Sequence, residues 1–185
     1  MKLRNVIGIV MTVSTVTPIH AEPLLDGIAI EHGHSDSSHS DLTLTRLSAQ
    51  KRLNTPLFQG ACGRLVGYWE LSAGFWENNS SLATNDHLLD FGVTPVFRYE
   101  LTGFTNMTPY IEGGVGVHML SHASVSEFRR FGSPFKFGDH IGAGVCFGGS
   151  DRYDLSYRFQ HLSNAGLFPP NMGINYHIVR FGVRL

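Results

Sequence analysis

His161 and Ser163 stand two residues apart within Arg-Phe-Gln-His-Leu-Ser-Asn-Ala-Gly-Leu-Phe-Pro-Pro-Asn-Met-Gly-Ile-Asn, residues 158–175. On a β-strand such residues share a face, with Cβ atoms about 6.5–7 Å apart. An imidazole can reach across that gap and take the serine proton, which is the activation a hydroxyl nucleophile needs. A His-x-Ser pair also arises often by chance, so the elements around it decide what it means.

Those elements read as strands. Leu89, Phe91, Val93, Pro95, Phe97, Tyr99 and Leu101 alternate with Asp90, Gly92, Thr94, Val96, Arg98 and Glu100. Segments 65–76, 137–147 and 176–185 repeat the period of two. Side chains alternate sides of a strand, so each segment has one apolar face and one polar or small face. Eight strands are predicted, at about 24–34, 41–52, 62–76, 88–101, 108–120, 136–148, 151–163 and 174–185. The first two alternate poorly. Turn-rich stretches separate the rest, and Pro95 predicts a bulge or local break, because proline cannot donate to a ladder.

Composition narrows the setting. The chain has 185 residues, 42% hydrophobic and 16% charged, with a formal net charge of -1. That is one domain with no electrostatic footprint for nucleic acid. No apolar run approaches the ~18 residues of a spanning helix, whereas a membrane barrel spreads its hydrophobicity over alternate residues. Lys2 and Arg4, the apolar stretch from Val6 to Val16 and Ala21 read as a secretory signal over 1–21, leaving 22–185 as the barrel domain. Eight antiparallel strands in an exported chain predict an all-β, up-and-down barrel. A soluble lipocalin-type barrel would turn its apolar face inward; a transmembrane β-barrel would turn it to lipid. Arg98, Glu100, Glu70, Arg180 and Arg184, alternating with glycine, suit the packed interior of the membrane version.

In that register the seventh strand places Leu155, Tyr157, Phe159, His161 and Ser163 on the lipid-facing side. Asn175 and His177 share the parity of Val179, Phe181 and Val183 on the eighth strand, again outward. Polar groups on that face are costly unless near the interface or functional. With both termini in the periplasm, His161, Ser163 and Asn175 meet at the outer-leaflet level, where lipopolysaccharide resides. A hydroxyl nucleophile there predicts attack on an acyl ester of lipid A.

At these residues the sequence resembles the lipid A 3-O-deacylase (PagL) family. The resemblance lies in His161-Leu162-Ser163-Asn164-Ala165-Gly166, then Pro170-Asn171, Gly173 and Ile174, about a tenth of the mature chain. It implies an eight-stranded outer-membrane barrel that removes the 3-hydroxyacyl chain ester-linked at position 3 of lipid A, without metal or cofactor. Ser163 matches the nucleophile and His161 the general base. Asn164 and Asn171 match asparagines around the site; they, or backbone N–H groups near Ala165 and Gly166, would stabilise the oxyanion. Turn chemistry explains the same asparagines and glycines equally well. The resemblance also implies Glu at the position of Asn175. No Asp or Glu follows Asp154, so an orienting acid must come from another strand, or Asn175 itself orients His161 through its amide oxygen, as in Cys-His-Asn enzymes.

Other signals carry less. His32 with His34, and His118 with His122, are poorly spaced for one metal ion. Arg129, Arg130 and Lys136, near the fifth connection, suit either lipid A phosphates or a solvated loop. Cys62 and Cys146 are two packed thiols or a bridge. The expected partners are lipopolysaccharide and the outer membrane, not nucleic acid, and oligomeric state, a homodimer included, stays open. The rival reading is a small structural or adhesive outer-membrane barrel without catalysis.

Overall fold

The computed structural model describes residues 23–36, 41–81, 83–126 and 129–185. The expected export signal lies outside them. Eight long strands form the wall: β1 (Gly27–Ser35), β2 (Leu42–Arg52), β3 (Gly63–Asn78), β4 (His87–Leu101), β5 (Met107–Leu120), β6 (Phe135–Phe147), β7 (Tyr153–Ser163) and β8 (Ile174–Arg184). Each pairs antiparallel with its sequence neighbour, and β8 returns to β1 with Gly27 opposite Arg184 and Ser35 opposite Tyr176. Closure leaves no long open edge. The short strand Phe58–Gln59 adds to β3, and Ser124–Ser126 pairs with Arg129–Arg130 in the long β5–β6 connection. Among the described residues no helix is long and apolar enough to cross a membrane.

The burial pattern fixes which way the wall faces. Ile30, Leu47, Leu71, Phe91, Ile111 and Ile141 are exposed on the outside, while Glu31, Arg46, Glu70, Arg98, Glu112, Arg158 and Arg180 are buried inside. A lipocalin-type interior is therefore excluded: its apolar lining would be these exposed residues. The inner charges are matched. Arg158 reaches Glu112 at 2.7 Å, Glu70 at 2.8 Å and Glu31 at 3.0 Å. Arg46 reaches Asp90 at 2.8 Å, and Arg98 reaches Asp154 at 2.7 Å. A charge stripped of water needs such partners.

Pro95 points outward in β4 and produces a break. The β4–β5 ladder pairs Val93 with Val117 and resumes at Val96 with Gly114, skipping Thr94 and Pro95 without changing register. The proline costs two rungs and shifts nothing beyond them.

Near the ends of β2, β3, β7 and β8 that carry the long connections, the interior changes character. Leu42, Leu44, Trp76, Phe131, Leu162 and Tyr176 form a buried apolar plug. The Trp76 ring stands 5.1 Å from that of Tyr176 and 6.4 Å from that of Phe131. Side chains of this size contribute about 1.5–3 kcal/mol each on burial. The plug lies directly behind the stretch 161–175, and Leu162, Ile174 and Tyr176 alternate with the outward residues there.

Candidate active site on the outer wall

His161 of β7 sits opposite Asn175 of β8 in the strand register, and both point outward. The imidazole Nδ1 and the Asn175 Oδ1 are 2.6 Å apart. An amide oxygen there accepts from Nδ1–H, which leaves Nε2 with its lone pair for use as a base. Ser163 projects from the same face of β7, two residues along, at the end of the strand. Among the described residues no hydrogen bond joins Ser163 to His161; such contacts are often long before substrate binds. The two side chains remain at the spacing of alternate strand residues, about 6.5–7 Å between Cβ atoms.

Gly173 makes room for the ring. A Cβ at that position would lie 2.6 Å from His161 Cε1 and 3.0 Å from Nε2. Its carbonyl oxygen accepts from Arg129 Nη1 at 2.6 Å, so the long β5–β6 connection clamps the β7–β8 loop. Arg129 therefore turns toward the protein rather than toward a phosphate. Lys136 does the same: it is buried, donates to the Phe131 carbonyl at 2.7 Å and lies over the Phe131 ring. Of those three cations, Arg130 alone is exposed.

The loop after Ser163 is held by Asn164, which is fully buried. Its Nδ2 donates to the carbonyls of Phe131 at 2.8 Å and Phe168 at 2.5 Å. Its Oδ1 accepts from Gly166 N–H at 2.9 Å, and its own backbone N–H donates to Asn171 Oδ1 at 2.9 Å. Ala165 and Gly166 take left-handed φ values of 53° and 81° to make this turn. The Asn164 side chain and the Asn164 and Gly166 N–H groups are thus committed to the loop. The Ala165 N–H and the Asn171 Nδ2 keep donors free of partners among the described residues. Both lie in the loop that begins at Ser163.

One outward residue near this cluster comes from β6. Asp139 is opposite His161 across the β6–β7 ladder and is exposed. It was not among the residues singled out from the sequence, because nothing in a linear reading sets the β6–β7 register. His32, His34 and His177 also face outward, while His118 faces inward and bonds Asp90 at 2.8 Å. Among the described residues no group of three potential ligands converges on a metal position. Cys62 is exposed and Cys146 buried, and they do not pair.

Comparison with known proteins gives the geometry a context. Residues 44–184 match the family model "Lipid A 3-O-deacylase (PagL)". The chain is 33% identical over 174 residues to lipid A deacylase PagL of Bordetella bronchiseptica, covering 94% of this chain and 92% of the relative. It is 40% identical over 117 residues to lipid A deacylase PagL of Pseudomonas aeruginosa, 63% of this chain and 64% of that one. The crystal structure of the outer membrane enzyme PagL superposes with a TM-score of 0.76 at 29% identity, over 86% of this chain and 99% of that one. Neisserial surface protein A, at 15% identity and a TM-score of 0.53, shares the barrel fold.

Proposed function

The chain belongs to the lipid A 3-O-deacylase (PagL) family, and from that premise we propose that it deacylates lipid A as a serine hydrolase working at the outer leaflet. The observation that carries the mechanism is the outward His161–Asn175 contact of 2.6 Å with Ser163 beside it on a largely apolar wall. Ser163 Oγ attacks the carbonyl carbon of the ester at position 3 while His161 Nε2 takes its proton. Ala165 N–H and Asn171 Nδ2 are the available donors for the tetrahedral oxyanion. The carbonyl–sugar oxygen bond then breaks, and the sugar oxygen takes the proton from Nε2. Water, activated by the same base, cleaves the acyl-Ser163 ester and releases the 3-hydroxy fatty acid.

The setting supports the substrate. Strand order puts the short connections 102–106 and 148–152, together with the longer 53–62, at the end of the barrel where β1 begins and β8 finishes, and puts 79–86, 121–134 and 164–173 at the other. Bacterial barrels keep their shorter turns in the periplasm; the two shortest connections at the end away from Ser163, and the longest, 121–134, at its own end, support an outer-leaflet position for Ser163. On the same reading residues 1–21 direct export and 22–185 form the barrel. Below the site, a shallow groove of about 630 Å³ runs along the wall, flanked by Phe97, Ile111, Ile141 and Phe159 and floored by Gly113 and Ala143. It suits a hydrocarbon chain.

Mass spectrometry of lipid A incubated with the purified, folded barrel tests this. The wild type should remove one hydroxyacyl chain. Ser163→Ala and His161→Ala should each lower kcat by at least about 1000-fold. An unchanged lipid A profile with folded wild-type protein would leave the structural or adhesive barrel instead.

A further inference from the structure

The Ser-His-Asn arrangement lacks a carboxylate. Asn175 fixes the imidazole but brings no negative charge to the imidazolium that forms when His161 takes the serine proton. The fold brings one from elsewhere. Asp139 on β6 is directly opposite His161, on the flank away from Asn175. Residues so placed have Cβ atoms about 4.5–5.5 Å apart.

Asp139 is hard to explain otherwise. Its outward neighbours on β6 are Phe137 and Ile141, and its partner on β5 is Val115. Among the described residues it takes no hydrogen bond and no ion pair. An acid set without a partner into a lipid-facing wall is costly, and by default marks a functional position. The acids of the interior are compensated: Glu31, Glu70, Glu112 and Asp154 each meet an arginine. The groups around the ring are few. Asn175 is neutral, Arg129 is held by the Gly173 carbonyl, and His177 is engaged by the Tyr157 hydroxyl. Asp36 lies beyond Asn175, its N–H donating to the Asn175 carbonyl at 2.9 Å and its carboxylate 3.8 Å from His177 Nε2, whereas Asp139 is the acid in register with His161 itself.

We propose that Asp139 is the positioning and charge-balancing carboxylate for His161, supplied from β6 in place of the acid that position 175 lacks. It acts through His161, stabilising the imidazolium across the strand gap without touching the ester. This rests on the deacylase reading above. A carboxylate at this distance in an interfacial medium is worth about 10- to 100-fold in rate.

The test is steady-state deacylation of lipopolysaccharide by the folded barrel in detergent. Asp139→Asn should lower kcat by about 10- to 100-fold and leave KM within about threefold. Asp139→Glu, which keeps the charge, should retain most of the rate. Asn175→Glu in the Asp139→Asn background returns a carboxylate on the opposite flank and should recover at least about tenfold of the loss. A structural role for Asp139 would not be relieved by an acid on another strand. Full activity in Asp139→Asn, or a loss that Asn175→Glu does not relieve, overturns the proposal. An active wild type with an indifferent Asp139 removes this inference alone; an inactive folded wild type removes the deacylase reading with it.

Discussion

Gln160 and His161 are adjacent in the chain and lie on opposite sides of the wall. Gln160 is buried and accepts a hydrogen bond from Arg46 Nη1 at 2.9 Å, inside a lattice where acids and arginines answer one another. His161 faces outward with an amide on one flank and an unpartnered acid on the other. The difference separates two uses of polarity. Inside, Glu31, Glu70, Asp90, Glu112 and Asp154 are each met by an arginine and Lys136 by a carbonyl, so polarity holds the barrel's shape. Outside, His161 and Asp139 stand in apolar surroundings, the first bonded only to a neutral amide and the second to nothing among the described residues, which suits a reaction that develops charge. Substitutions on the two faces should therefore fail differently: inner ones in stability, outer ones in rate.

The largest effect expected in this contrast is at Arg158. Replacing it with Met removes the guanidinium shared by Glu112, Glu70 and Glu31 and leaves them to Arg98 at 2.9 Å, Arg180 at 3.8 Å and Arg46 at 3.2 Å. Breaking a buried pair by removing one partner costs about 3–5 kcal/mol. Urea unfolding in lipid vesicles should show a loss of that order, while the fraction still folded deacylates at the wild-type kcat. A normal midpoint with reduced kcat would dissolve the distinction between the faces.

Gly173→Ala should do the reverse. Its backbone is not in the left-handed region, so alanine fits the chain, but the new methyl would meet the His161 ring at 2.6 Å. The ring must turn, and the bond to Asn175 goes with it. Misplacing a catalytic group by about 1 Å costs up to about 100-fold. We expect kcat to fall about 10- to 100-fold with the unfolding midpoint unchanged.

These two predictions draw on features of different legibility. The strands were readable where one face is apolar along its whole length, as in β4. They blurred in β2 for a physical reason. Leu42 and Leu44 face inward to the plug and Arg46 faces inward to the charge lattice, while Thr43, Thr45 and Leu47 face out. The pattern inverts midway along one strand, so no single alternation describes it. Ser163, His161 and Asn175 were accessible because they flank one hairpin, where parity alone decides their side. The work of Asn164 was not, since it depends on carbonyls at Phe131 and Phe168 that only the folded loops bring near. Arg129 and Lys136 read as surface cations because nothing in their spacing announces the plug that buries them. Asp139 was hidden by the same limit, for its meaning comes from a register between strands.

The finest test of the contrast is Gln160→Leu, because it changes the chain one residue from the base. Gln160 is 3% exposed, so the substitution stays inside the wall. Arg46 Nη1 loses one acceptor but keeps Glu31 at 3.2 Å, and Arg46 Nη2 keeps Asp90 at 2.8 Å. The net loss is therefore near that of one ordinary hydrogen bond, about 1 kcal/mol. The unfolding free energy from urea titration should fall by that amount. The deacylation rate should stay within about twofold, because Leu162, Ile174 and Tyr176 still hold β7 and β8 from behind. If kcat instead fell by tenfold or more, the interior would be tuning the base through the strand, and the two faces would have to be treated as one site.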